Sequence, residues 1–222
     1  LHSFPTRRSS DLWQKKTDRY RVDVMKETER KPEETRLERL KRELEKKARA
    51  KDACQYGLDC ISRAKSINDL LLATTRYFEW GVRNNILTAE YYEKNYTQEE
   101  LRAVNIFTRE EHMLNSEVAY VLGDTIVHAY DNSAVHAYGN SKVTAYDNSA
   151  VHAYGNSIVI VHDKSAVHAH DKSAVHAHGN SIVYVHDNSI VYAYDNSIVY
   201  AYDNSAVHAY GNSKIMDCRT MI

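Results

Sequence analysis

The side chains with chemistry to offer in this chain are imidazoles and phenols, and their spacing is regular. His176 and His178 stand two residues apart, as do His168 and His170, with His162 before them and His186 after. Residues two apart on an extended strand share a face. His162, His176 and His178 would then gather on one face. His168, His170 and His186 would gather on another, with His152 near. Imidazoles at this spacing can chelate zinc, nickel or copper, and these six histidines are the candidate metal ligands. No carboxylate or cysteine completes a shell, and Tyr stands at the same places in other copies of the pattern. The competing reading is a planar ring tolerated in a stack.

The element that must position these rings is a repeat. From Gly123 a phrase of the form DNSAVHAY recurs every eight residues, ending in a frayed copy at Cys218. Such internal periodicity outranks other signals. The third, fifth and seventh positions are nearly always Ser, Val and Ala or Val. The fourth, sixth and eighth vary and admit Lys142 and Lys214. A face that accepts Lys is solvated, so Ser, Val and Ala point into a thin core and the variable positions point out. The leading Asp or Gly with its Asn tolerates turn backbone and makes the corner. One octad is one strand plus one corner. Aligned Ser hydroxyls and stacked corner Asn would satisfy one another as ladders.

In the first six copies the leading residue alternates Gly and Asp, and the fourth position alternates Ala with Ile or Lys. The unit is then sixteen residues, two octads per coil of a flattened two-faced solenoid. A triangular coil of three octads is the alternative. With two per coil, equivalent residues stack sixteen apart. One column is Tyr130, Tyr146, His162, His178, Tyr194 and Tyr210. The other is Tyr138, Tyr154, His170, His186, Tyr202 and Cys218. The seven tyrosines are the candidate binding surface, since large exposed aromatic surfaces usually meet a partner. Stacking among themselves is the simpler role.

The front half reads as helix. Residues 31–53 are rich in strong helix formers, and Leu37, Leu40 and Leu44 draw a short apolar stripe. It is either the seam of a self-associating coiled coil or one side of a solvated helix. Residues 66–85 follow, opened by Ser66 and Asp69. Thr88 opens a short helix, Thr97 with Glu100 opens another, and Thr108 with Glu111 repeats the device. Residues 115–122 read as a degenerate first strand. The organisation is a charged, helical and partly disordered segment at 13–53, a small helical capping domain at 54–122, a solenoid at 123–218 and a tail at 219–222. The fold class is α+β: short helices, then a β-solenoid of strand–turn octads.

Several function classes find no footing. Acids and bases nearly balance, with a net charge of −1, so no global nucleic-acid footprint exists. No apolar run is long enough to span a bilayer. Cys54, Cys60 and Cys218 are odd in number and not at zinc spacing, so they read as free thiols in a reducing, cytoplasmic setting. There is no Gly-rich phosphate loop and no nucleophile–base pairing, so no enzyme activity and no cofactor is expected. What is expected is a structural or interaction protein displaying Tyr/His columns to a protein or glycan surface, or to its own copies.

Residues 1–12, LHSFPTRRSSDL, resemble an in-frame translation of a sequencing-library adapter. On that reading they are set aside, and the true start is missing or is Met25. The phrase AYGNSKVTAYDNS resembles the octapeptide-repeat proteins of bacteria and their phages, which carry a (D/G)NSxVxAY repeat behind a short helical segment. The resemblance covers about residues 50–222 and implies a β-solenoid with no known activity. More distantly the repeat is similar to that of bacterial ice-nucleation proteins, whose octads contain AGYGST. That likeness implies outward Thr rows that order water, and here only Thr144 among the sixth positions is Thr.

Overall fold

The computed structural model describes residues 34–219. Residues 1–12, the charged stretch up to 33 and residues 220–222 lie outside the described residues. The chain divides into two compact units, Leu1–Arg39 and Leu40–Ile222. Of the first, only 34–39 is described. There Thr35 Oγ1 accepts the Glu38 amide at 3.2 Å and so caps helix α1, Arg36–Arg49.

The second unit carries a helical lobe and then the solenoid. Beyond α1 come α2 (Gln55–Ser62), α3 (Ile67–Thr75), α4 (Phe78–Arg83), α5 (Ala89–Asn95) and α6 (Gln98–Arg102). The caps fall where hydroxyl residues invite them. Ser66 accepts the Asp69 amide, Thr88 accepts the Tyr91 amide, and Thr97 with Glu100 closes a reciprocal box. The helix expected over 66–85 is broken between α3 and α4. The stripe on α1 is no free seam, since Leu40, Leu44 and Ala48 are buried within the chain. Neither the coiled coil nor the solvated helix describes it. At the centre of the lobe Tyr92 is fully buried, and its hydroxyl donates to Thr74 Oγ1 at 2.9 Å. No described helix is long and apolar enough to cross a membrane.

The solenoid has two octads per coil and about seven turns. Its odd-strand sheet comprises β1 (Ile106–Phe107), β3 (Val118–Val121), β5 (Ala134–Ala137), β7 (Ala150–Ala153), β9 (Ala166–Ala169), β11 (Ile182–Val185), β13 (Ile198–Ala201) and β15 (Lys214–Asp217). The even-strand sheet comprises β2 (Glu111–Asn115), β4 (Ile126–Tyr130), β6 (Lys142–Ala145), β8 (Ile158–Val161), β10 (Ala174–Ala177), β12 (Ile190–Ala193) and β14 (Ala206–Ala209). Every pairing is parallel, and from β3 onward the register is sixteen residues, as in Val151 opposite Val167 and Val175 opposite Val191.

The ladders begin at Ile106, ahead of the boundary expected at Gly123. The Thr108 and Glu111 pattern does not open a helix. Glu110 turns with φ 70° and Glu111 enters β2. There Leu114 pairs with Ala129 and His112 pairs with Val127, so His112 takes an inward register position and packs on Phe107. Tertiary pairing overrides the local capping signal.

Between the sheets lies the core. Val127, Val135, Val151, Val167, Val183 and Val199 are fully buried, as are the Ala or Val residues two further on. Each buried Val contributes about 1.5 kcal/mol or more. In β14 and β15 the same positions are partly or fully exposed. The Ser hydroxyls do not chiefly ladder. Those of Ser133, Ser157, Ser173 and Ser197 donate back across the corner to the carbonyls of Tyr130, Tyr154, His170 and Tyr194 at 2.6–2.8 Å. A direct Ser rung joins Ser141 and Ser157 at 3.3 Å. The Asn corner ladder holds from Asn156 to Asn140 and on to Asp124.

Corners place the first octad residue in the left-handed region, from Gly139 at φ 76° to Asp203 at φ 53°. Gly enters that region freely, and Asp or Asn at modest cost. The position is Gly or Asp in every copy, and both fit this backbone. The Asp carboxylates also reach back one coil. Asp171 accepts the Gly155 amide at 2.9 Å, Asp187 accepts the Asp171 amide at 3.0 Å, and Asp195 accepts the Gly179 amide at 2.9 Å.

Candidate functional site

The outward positions of both sheets carry rings in register. On the even-strand sheet the eighth-position column runs Tyr130, Tyr146, His162, His178, Tyr194, Tyr210, each ring stacked on the next. Beside it His176, Tyr192 and His208 stack in turn. On the odd-strand sheet Tyr138, Tyr154, His170, His186 and Tyr202 form the eighth-position column. Next to it Tyr120, His136, His152, His168, Tyr184 and Tyr200 form a sixth-position column. Centroids lie 4.5–5.3 Å apart with planes within 5–13° of parallel. That spacing is the inter-strand repeat itself. The sheet sets the stack.

Stacking fixes what the surface offers. Each ring face is covered by the ring above and the ring below. Solvent meets ring edges: phenol hydroxyls and imidazole nitrogens in rows at strand spacing. A sugar ring that needs an open aromatic face finds it only at column ends such as Tyr210, which is 49% exposed.

The six candidate metal ligands fall on the expected faces, His162, His176 and His178 on one and His168, His170 and His186 on the other. Within each group the rings lie in stacks. His162 stacks on His178 at 5.2 Å and His170 on His186 at 4.8 Å, while His176 and His168 stack on Tyr192 and Tyr184. Among the described residues no group of three or more His, Cys, Asp or Glu is placed to hold a metal ion.

Two of the candidate binding tyrosines are not surface residues. Tyr138 and Tyr154 are 3% and 8% exposed. Helix α4 lies over them: the Phe78 ring is 5.6 Å from that of Tyr138 and 4.6 Å from that of Tyr120, and the Arg83 guanidinium sits 5.3 Å over Tyr154. Burial pushes both phenols above their ordinary range. The octad pattern contains no sign of this cover, because it comes from the lobe. The remaining five, Tyr130, Tyr146, Tyr194, Tyr202 and Tyr210, are half-buried or exposed.

The electrostatics follow from burial and neighbours. His136, His152, His168, His170 and His178 are all pushed below their ordinary value, chiefly because burial disfavours the charged ring. Neighbouring imidazoles add to this, His136 acting on His152, His186 on His170 and His162 on His178. A corner carboxylate partly offsets it: Asp187 lies 3.7 Å from His170 and Asp195 lies 3.9 Å from His178. These Asp–His pairs, and the carboxylate-to-amide ladder beneath them, are invisible in a reading that treats Asp only as a turn former. At the last coil Arg219 forks onto Asp217 and holds its carboxyl down at about 2.

Comparison with known proteins finds no matching family model, no matching curated protein and no matching solved structure.

Proposed function

We propose that this chain is a non-enzymatic repeat scaffold that binds through its flat ring-edged faces, and that its partner is a protein surface of the same kind, in the first instance a second copy. The observation that carries this is the set of edge-on Tyr/His columns, repeated at strand spacing on both sheets. Edges in rows favour hydrogen bonding and close apolar contact with another ordered sheet over stacking with a sugar. Outward Ile182, Ile190 and Ile198 beside Tyr184, Tyr192 and Tyr200 add apolar surface toward the C-terminal coils. A second copy is the one partner certain to share the sixteen-residue period.

Light scattering of the purified chain across a concentration series tests the reading. Mass should rise with concentration and fall back toward one chain in a Tyr184→Lys, Tyr200→Lys double variant. A chain that stays a monomer throughout, with and without these changes, removes self-assembly as the function.

A further inference from the structure

We propose that the helical lobe binds a small apolar molecule, neutral or cationic and about the size of two fused rings, in a cavity separate from the solenoid faces. Helices α1 to α4 and the turn after them line a cleft of about 270 Å³ that is partly open to solvent. Its wall is built from Leu44, Ala48, Ile61, Ala73, Trp80 and Leu87, with Tyr77 beside them. A sealed dry cavity of about 150 Å³ with an aliphatic and aromatic lining takes up benzene, and the larger, partly open cleft here has room for a bicyclic ring with one edge toward solvent.

The wall is mostly apolar, with Cys54, Tyr77 and Trp80 adding a thiol, a phenol and an indole to its lining. Thr74 lines the space, and its hydroxyl is already engaged, donating to the Leu71 carbonyl at 2.7 Å and accepting from Tyr92 at 2.9 Å. An apolar guest there would exchange water for contact with the mostly apolar lining. Among the residues that line it, the one charged group is Asp52, exposed at the rim. Its carboxylate opposes an anionic guest and suits an amine held at the mouth.

A second observation bears on the opening. Gly57 lies inside α2 and borders the cavity. A methyl group at Gly57 would meet Cys54 Sγ at 3.6 Å and Tyr77 Cε2 at 3.7 Å, ordinary contact distances. No clash requires glycine, and glycine in a helix interior is less stable than alanine. The glycine leaves unfilled a space that a methyl group would take beside two lining residues, Cys54 and Tyr77.

The test is thermal unfolding of the full chain, followed by circular dichroism, with indole, tryptamine and indole-3-acetate as probes. Indole and tryptamine should raise the midpoint by roughly 2–5 °C near saturation, and indole-3-acetate by less. Asp52→Asn should narrow the difference between the cation and the anion. Ala48→Phe and Ala73→Leu each fill the space, and either should abolish the shift while leaving the unliganded midpoint equal or higher. If one fails to fold, the other carries the comparison. No shift with indole in the unaltered chain overturns the proposal, and so does a shift that survives in a folded filling variant.

Discussion

The helical lobe and the solenoid solve the same problem by opposite means. In the lobe every buried position is individual. The Tyr92 hydroxyl donates to Thr74, and a Cβ at Gly81 would collide with the Leu87 side chain. In the solenoid a single solution is repeated: Val and Ala inside, a left-handed corner, a ring outside. The lobe holds its shape through unlike contacts that no other position can replace. The solenoid is a nearest-neighbour stack, where each coil depends on the coil before and after it. A substitution in the lobe should therefore follow its own local rule, and one in the solenoid should follow its octad position.

The largest expected effect breaks the stack. Val151 is fully buried in β7 between the sheets. Val151→Asp places an unpaired charge in a thin core and should cost more than about 4 kcal/mol, unfolding the coils around it. Chemical denaturation that leaves the midpoint unchanged would mean the facing is wrong.

Acid should separate the two regions next. The lowered histidines are all in the solenoid. Because they bind protons less readily folded than unfolded, their cost is absent above about pH 7 and grows as pH falls below the ordinary His value of about 6.5. The solenoid's melting midpoint should drop by several degrees between pH 8 and pH 5. Equal midpoints would contradict the burial of the rings.

Two glycines sharpen the lobe's side of the contrast. Gly81→Ala should destabilise by about 1–3 kcal/mol, since Leu87 must give way. Gly57→Ala should stabilise by up to about 1 kcal/mol. Opposite signs in urea titrations are the expected outcome, and like signs would undo the idea of individual rules.

The smallest effect sits at the corner. Asp187 has φ 56° and accepts the Asp171 amide. Asp187→Gly keeps the backbone at ease and loses one hydrogen bond, while Asp187→Val adds about 1–2 kcal/mol of steric cost. If Val proves no worse than Gly in thermal melts, the octad's first letter is not set by backbone geometry.

What could be read from sequence divides along the same line. The two-residue alternation revealed which side chains point inward, and the sixteen-residue alternation of Gly and Asp revealed two octads per coil. Repetition makes such signals loud, because each coil restates them. The strands before Gly123 were not legible as a whole. Residues 106–115 carry no octad, and Thr108 with Glu111 imitates a helix start. The burial of Tyr138 and Tyr154 was hidden too, because Phe78 and Arg83 reach them from far away in the chain. Leu40 and Leu44 showed a stripe but not that the chain itself buries it. The Asp carboxylates were visible as corner residues only. Their second role, accepting an amide sixteen residues earlier, requires the stacked coils to exist first.

The register has a consequence for how such a chain can change length. Duplicating sixteen residues inserts one whole coil, and every downstream strand stays in its own sheet. Duplicating a single octad sends each later strand to the opposite sheet, exchanging the columns of the two faces beyond the insertion. The core would barely notice, since Ser, Val and Ala serve either side alike. The display would be rewritten from that point on. Growth in single octads is thus a way to recombine the two faces of the molecule without disturbing what holds it together.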